Sequence, residues 1–291
     1  MSNWQDRRQI VASRPSPIGI FDSGVGGLTV LRELYRQIPN ESIIYFGDTA
    51  RLPYGSRTPE EILYFVRQIL TWMESQGAKM VMMACNTSSA LALDIVQREY
   101  NFPILGLIRP GAQAAARLGS NIGIIATQAT VNSHAYADAI QELQSHCQVH
   151  QVSCPEFVPI VERNRIQHPY ALQTARKYLE PLIEAKIDTL VYGCTHYPHL
   201  APVLQTILPS SVQCIDPAIY MVSAAVKELD ALGLRSSSPA WSTEFYVSGS
   251  PHEFKRLAIQ WLGHQPRVNH VQLPALTMHQ TQPNQQLGSL H

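Results

Sequence analysis

What this chain lacks narrows the reading first. Its 22 basic and 22 acidic residues cancel, so no charge excess points to nucleic acid or an anionic membrane surface as partner. No apolar run approaches the ~20 residues that a membrane-spanning helix needs. The segment Met1 to Pro17 is polar and Arg-bearing and has no apolar stretch of the kind a secretory signal carries. The cysteines are few and odd in number: Cys85, Cys147, Cys154, Cys194 and Cys214. They form no CxxC pair and no Cys/His cluster with zinc spacing. Free thiols in a reducing cytoplasm are therefore expected, rather than a disulfide framework. Lysine is scarce, 5 of the 22 cations, and none stands in a recognisable setting for pyridoxal. What remains is 45% hydrophobic and 15% charged over 291 residues. That is an ordinary globular composition, long enough for one large or two modest domains.

The chain is organised around Val191-Tyr192-Gly193-Cys194-Thr195-His196-Tyr197-Pro198. The β-branched, apolar run Ile187 to Tyr192 reads as a buried strand. Pro198 opens a helical pattern of Leu200, Val203, Leu204 and Ile207. Cys194 thus falls between a strand's carboxyl end and a helix start, where α/β sheets place their chemistry. A second copy lies upstream: Met80 to Thr87, with Cys85, followed by a helical run from Ser88 to Tyr100. The two cysteines are 109 residues apart.

Residues 1–16 read as a disordered lead. Ile18 to Phe21 is a strand ending in Asp22-Ser23-Gly24-Val25-Gly26-Gly27, and Leu28 to Ile38 a helix stopped by Pro39. Ser42 to Phe46 is a second strand, and the Pro- and Gly-bearing segment Thr49 to Arg57 a loop. Thr58-Pro59-Glu60-Glu61 predicts a capped helix start, with Gly77 closing that helix. A strand at Pro103 to Leu107 completes a β-α-β-α-β-α-β order, the pattern of a parallel sheet with helices on both faces.

The pattern restarts at Asn121 to Thr127, which echoes Ile18 to Ser23 at an offset of 104, so Thr127 is the counterpart of Ser23. Two similar α/β lobes are predicted, each a mostly parallel sheet covered by helices, with the site in the cleft between them. Lobe 1 takes residues 17–108 and 217–263 and carries Cys85. Lobe 2 takes residues 109–216 and carries Cys194. Val152 to Arg163 reads as a loop or short helix bearing Glu156 and Glu162. Val212 to Ile215 and Trp241 to Ser248 read as strands, and Asp216-Pro217 and Pro251 as openings of helices. Residues 264–291, rich in Gln, Pro and His, read as a poorly ordered tail.

Several motifs admit more than one reading. Gly24-Val25-Gly26-Gly27 with Asp48 imitates a dinucleotide fingerprint. Its third glycine position holds Thr29, and Asp22 would repel a pyrophosphate. A better reading has the N–H groups of this helix start hold a substrate carboxylate, with Ser23 assisting. Cys147, Cys154 and Cys214 read as small buried hydrophobes. Cys85 and Cys194 differ by their place at helix N-termini, where the dipole lowers a thiol pKa from about 8.5 toward neutrality. Cys194 with His196 also fits a thiol hydrolase, but that leaves the Cys85 loop unused. Arg109 and His134 fall near the hinge and a lobe 2 loop and are assigned no role.

Two thiols suit one kind of reaction. Inverting a stereocentre beside a carboxylate needs a base on one face and an acid on the other, and a thiolate and a thiol can exchange those roles. Neither a metal nor pyridoxal is required. Ile20 to Gly27, Asp48 to Gly55, Ala84 to Thr87 and Gly193 to Pro198 together resemble the glutamate racemases of the aspartate/glutamate racemase superfamily. The resemblance runs from Ile18 to Leu262 in the family's order and spacing. It implies interconversion of L- and D-glutamate without cofactor, in support of peptidoglycan synthesis, by a cytoplasmic homodimer. It implies that Cys85 handles the α-proton of the D-enantiomer and Cys194 that of the L-enantiomer. Asp22 is then the assistant of Cys85, and His196 with Glu162 the assistants of Cys194. Asp22, Ser23, Tyr54, Gly55, Asn86, Thr87, Thr195 and His196 map onto the substrate-binding positions, and Thr127 joins them as the counterpart of Ser23. An aspartate racemase of the same superfamily and a two-lobed amino-acid binding protein are the rivals. The Pro53-Tyr54-Gly55 loop favours glutamate.

Overall fold

The structure is a computed structural model that describes residues 16–237 and 242–276. The expected disordered lead, apart from its last residue, and the end of the tail lie outside the described residues. The strands are β1 (Ile18–Asp22), β2 (Ile43–Gly47), β3 (Met80–Met83), β4 (Ile104–Gly106), β5 (Asn121–Ala126), β6 (Gln148–Ser153), β7 (Thr189–Gly193), β8 (Gln213–Ile215), β9 (Glu244–Val247) and β10 (Val268–His270). They form two sheets, ordered β10-β9-β2-β1-β3-β4 and β6-β5-β7-β8. Every pairing is parallel. This is an α/β fold of two lobes.

The strands alternate between two covered faces, as strands buried on both sides must. Ile18, Ile20, Met80 and Met82 pack under the helices Leu28–Gln37, Pro217–Ala231 and Pro251–Leu262. Phe21, Val81 and Met83 point the other way, under Pro59–Ser75 and Asn86–Val96. In the smaller sheet Ile125, Leu190 and Tyr192 face Phe157–Glu162 and Pro169–Glu184, and Ile122, Ile124 and Val191 face Ile108–Leu118 and Ala135–Leu143. Truncating a fully buried member such as Ile20 to alanine would cost about 2–5 kcal/mol. The predicted start at Thr58 holds: its side chain accepts from Glu61 N–H and the Glu61 carboxylate accepts from Thr58 N–H, a closed capping box.

The registers give the two halves one plan. Asp22 pairs with Gly47, and Ala126 with Ser153. Phe21 pairs with Met83, and Ile125 with Tyr192. Asp22 therefore corresponds to Ala126, Ser23 to Thr127, and Cys85 to Cys194. After Cys85 runs the eleven-residue helix Asn86–Val96. After Cys194 the helical pattern expected from Pro198 to Ile207 is divided into a 3-10 turn, Tyr197–Leu200, and the short helix Ala201–Gln205. Pro202 has no N–H to offer the carbonyl of Pro198, so the α-ladder cannot run through.

Two further differences from expectation stand out. Gln148–Ser153 is a strand despite its polar sequence, because it needs only one neighbour, β5, and lies at the sheet edge. Val268–His270, expected in the disordered tail, is an edge strand paired with β9. Three residues of backbone pairing with Val268 buried leave no periodicity for sequence reading to detect.

Candidate active site

Both cysteines line one cavity of about 380 Å³, a size within the usual range for small-molecule sites. The larger sheet contributes Asp22, Ser23, Leu52 to Ser56, Cys85, Asn86 and Thr87 to its wall. The smaller sheet contributes Thr127, Gln128, Cys154, Pro155, Val158, Pro159, Cys194, Thr195 and His196. The chain supplies these groups because each loop follows the carboxyl end of a parallel strand, and all those ends face the same cleft.

Cys85 is the N-cap residue of Asn86–Val96 and is 6% exposed. Burial and then the neighbouring Asp22 carboxylate push its thiol up to about 12, against the help of the Ser88 N–H and hydroxyl. The expected drop toward neutrality is thus overturned. A helix start is worth about 0.3–1 kcal/mol to a nearby anion, less than one pKa unit. Full burial shifts a thiol by up to ~3–5 units.

Asp22 is completely buried. Burial raises its pKa, opposed by His196 and by the backbone N–H groups of Gly27, Ser23 and Gly24. Its Oδ2 accepts the Gly27 N–H at 2.7 Å, while Oδ1 has no partner among the described residues. The start of helix Leu28–Gln37 is therefore answered by the protein's own carboxylate. This takes the Ser23, Gly24 and Gly27 N–H groups out of the set expected to hold a substrate carboxylate. The dinucleotide reading fails as well: Asp48 is occupied by the Tyr54 hydroxyl, by Arg51 at 2.7 Å and by Ser248 at 2.7 Å. Tyr54 consequently braces its loop with its hydroxyl rather than offering it to a ligand.

Cys194 meets a different neighbourhood. His196 Nδ1 lies 3.8 Å from its sulfur, and His196 Nε2 lies 2.7 Å from Glu162 Oε1. Burial opposes the charging of His196, but its contacts with Cys194 and Glu162 outweigh burial and hold its pKa well above the usual value. Glu162 ends the helix Phe157–Glu162 and stands behind His196, outside the cavity wall. The glycine loop of the other half closes over this pair. A Cβ at Gly26 would fall 2.5 Å from His196 Nδ1, and one at Gly24 2.6 Å from Glu162 Oε1. These glycines serve close approach between the halves.

Every candidate named from the sequence except Glu162 lies in the cavity wall, and Glu162 reaches it through His196. Arg109 instead faces Glu142 at 3.8 Å, and His134 caps the helix Ala135–Leu143 in a left-handed conformation. Sequence reading missed Leu52, Ser56, Gln128, Pro155, Val158 and Pro159. It also dismissed Cys154, which is buried yet lines the cavity. Its position after β6, matching Asp48 after β2, emerges only from the strand registers.

Known proteins share this arrangement. The family described as Asp/Glu/Hydantoin racemase matches residues 18–225. A glutamate racemase of Trichormus variabilis is 60% identical, over 92% of this chain and 91% of its own length. Among solved structures, a glutamate racemase isoform from Bacillus anthracis has a TM-score of 0.87 at 37% identity, covering 90% of this chain and 99% of that one. A glutamate racemase from Francisella tularensis, solved in complex with D-glutamate, has a TM-score of 0.83 at 34% identity, covering 89% and 97%. With this pair of thiol loops on this two-lobed fold, the chain belongs to the Asp/Glu/hydantoin racemase family, among its glutamate racemases.

Proposed function

We propose that this chain interconverts L- and D-glutamate without a cofactor, by proton transfer between Cα and the thiols of Cys85 and Cys194. The observation that carries the reading is the pair of cysteines on corresponding strand ends of two sheets, lining one cavity. One thiolate removes the α-proton from one face of the substrate, and the opposite thiol donates its proton to the other face. The product has the inverted centre, and the thiol and thiolate have changed places. From the L-enantiomer, Cys85, whose thiol is pushed up to about 12 by burial and Asp22, donates the proton. Cys194, beside the His196–Glu162 pair, takes the proton of the L-enantiomer, and the two roles are exchanged when the reaction runs from the D-enantiomer. Asp22 faces Cys85 and opposes its ionisation, which keeps that proton available.

Glutamate is the preferred substrate because similar proteins named for it match nearly the whole chain, and one was solved with D-glutamate. The same reading assigns the product to peptidoglycan synthesis and the enzyme to the cytoplasm, as a homodimer. No described helix is long and apolar enough to cross a membrane. The two lobes of the reading are residues 17–108 with 217–263, extended by β10, and residues 109–216. Circular dichroism of L-glutamate with the purified protein and no added cofactor is the direct test. Loss of optical activity toward zero is expected, and an unchanged signal would overturn the proposal. Comparing kcat/KM for aspartate and glutamate tests the substrate.

A further inference from the structure

We infer that Tyr136 is a positioning residue: its hydroxyl fixes the Asn86 amide so that the NH2 end, not the carbonyl, serves the substrate's α-carboxylate. This rests on the amino-acid reading of the cavity. Tyr136 lies on Ala135–Leu143, over the smaller sheet, and is fully buried. Asn86 lies in the cavity wall directly after Cys85. The Tyr136 hydroxyl donates to Asn86 Oδ1 at 2.6 Å, so the bond joins the two halves.

The polarity follows from counting protons. A phenol has one to donate, and burial holds that of Tyr136 well above its ordinary pKa, so it remains a donor. Asn86 is its one hydrogen-bond partner among the described residues. Turning the amide round would set NH2 against the phenol oxygen and leave the phenol proton without an acceptor, an expensive arrangement inside a protein. With Oδ1 committed, Nδ2 is buried and has no partner among the described residues. Asp22 Oδ1 is in the same position, as an acceptor. The wall therefore holds one orphaned donor and one orphaned acceptor, which complement the carboxylate and the ammonium of an α-amino acid.

Tyr136→Phe keeps the ring and removes the proton. KM for both enantiomers should rise about tenfold with kcat within about threefold, because the carboxylate is held alike in ground and transition states. In an Asn86→Ala background the same change should add less than about twofold. An unchanged KM, or the full tenfold rise in the Asn86→Ala background, would overturn the inference in favour of a merely structural tyrosine. Should Tyr136→Phe lose its fold, Asn86→Asp reads the same polarity. It replaces the donor by an acceptor and should raise KM beyond Asn86→Ala, and a wild-type KM would refute the assignment. Wild-type protein without turnover would sink the racemase reading instead, and D-glutamate affinity by calorimetry would then report the Tyr136→Phe loss.

Discussion

Follow either central strand to its end and cross to the next, and the chain arrives at a cysteine. From β1 it is Cys85, and from β5 it is Cys194. The strand plan is the same, yet the surroundings differ. Where β1 ends in the Asp22 carboxylate, β5 ends in the methyl group of Ala126. Where Thr87 follows Cys85, His196 follows Cys194, backed by Glu162. One thiol thus faces a buried anion and the other a buried imidazole–carboxylate pair. Repeating a fold places two like groups across a cleft, and unlike neighbours then give them unequal tasks.

The strongest test of that comparison removes each sulfur. Cys85→Ala and Cys194→Ala should each lower turnover by about 10³-fold or more in both directions, followed by circular dichroism from each enantiomer. If one variant kept near-normal turnover, the halves would not share the reaction. Next comes the imidazole. His196→Asn should lower kcat/KM by about 10²-fold. Enantiomers have equal free energy, so kcat/KM must fall alike in both directions, while kcat and KM separately are free to split. Equal kcat losses in the two directions would argue that His196 serves both thiols and blur the contrast.

Asp22→Asn should reduce turnover by about tenfold and lower the Cys85 pKa from about 12, since the anion that opposes its ionisation is gone. Alkylation of Cys85 against pH, in a Cys194→Ser background, measures this. The same substitution has a stability signature. The folded pKa of Asp22 is raised above the ordinary value of 3.8. Its contribution is therefore fully present below that ordinary value and is lost as pH rises through the folded one. Asp22→Asn should melt higher than wild type at neutral pH, with the gap closing in acid. Gly26→Ala should cost about 1–3 kcal/mol and several-fold in activity, because its Cβ meets His196 Nδ1 at 2.5 Å. Thr58→Ala, just beyond the cavity-lining loop that ends at Ser56, should cost about 1 kcal/mol through its lost cap and leave kcat within about twofold.

The amino-acid order by itself determined the alternating strand and helix runs, the capped start at Thr58, the restart at Asn121 and the two cysteine turns. These depend on periodicity and on contacts within a few residues, so the chain displays them locally. Only the tertiary structure decided that Asp22 answers its own helix start, that Glu162 stands behind His196, that Cys154 joins the wall, and that Tyr136 orients Asn86. Each depends on a partner from another element and on how much water the packing excludes. The thiol of Cys85 shows the difference most plainly. Its place at a helix start was legible and pointed down in pKa, but burial and a carboxylate brought in from β1 push it up, and those are properties of the folded interior.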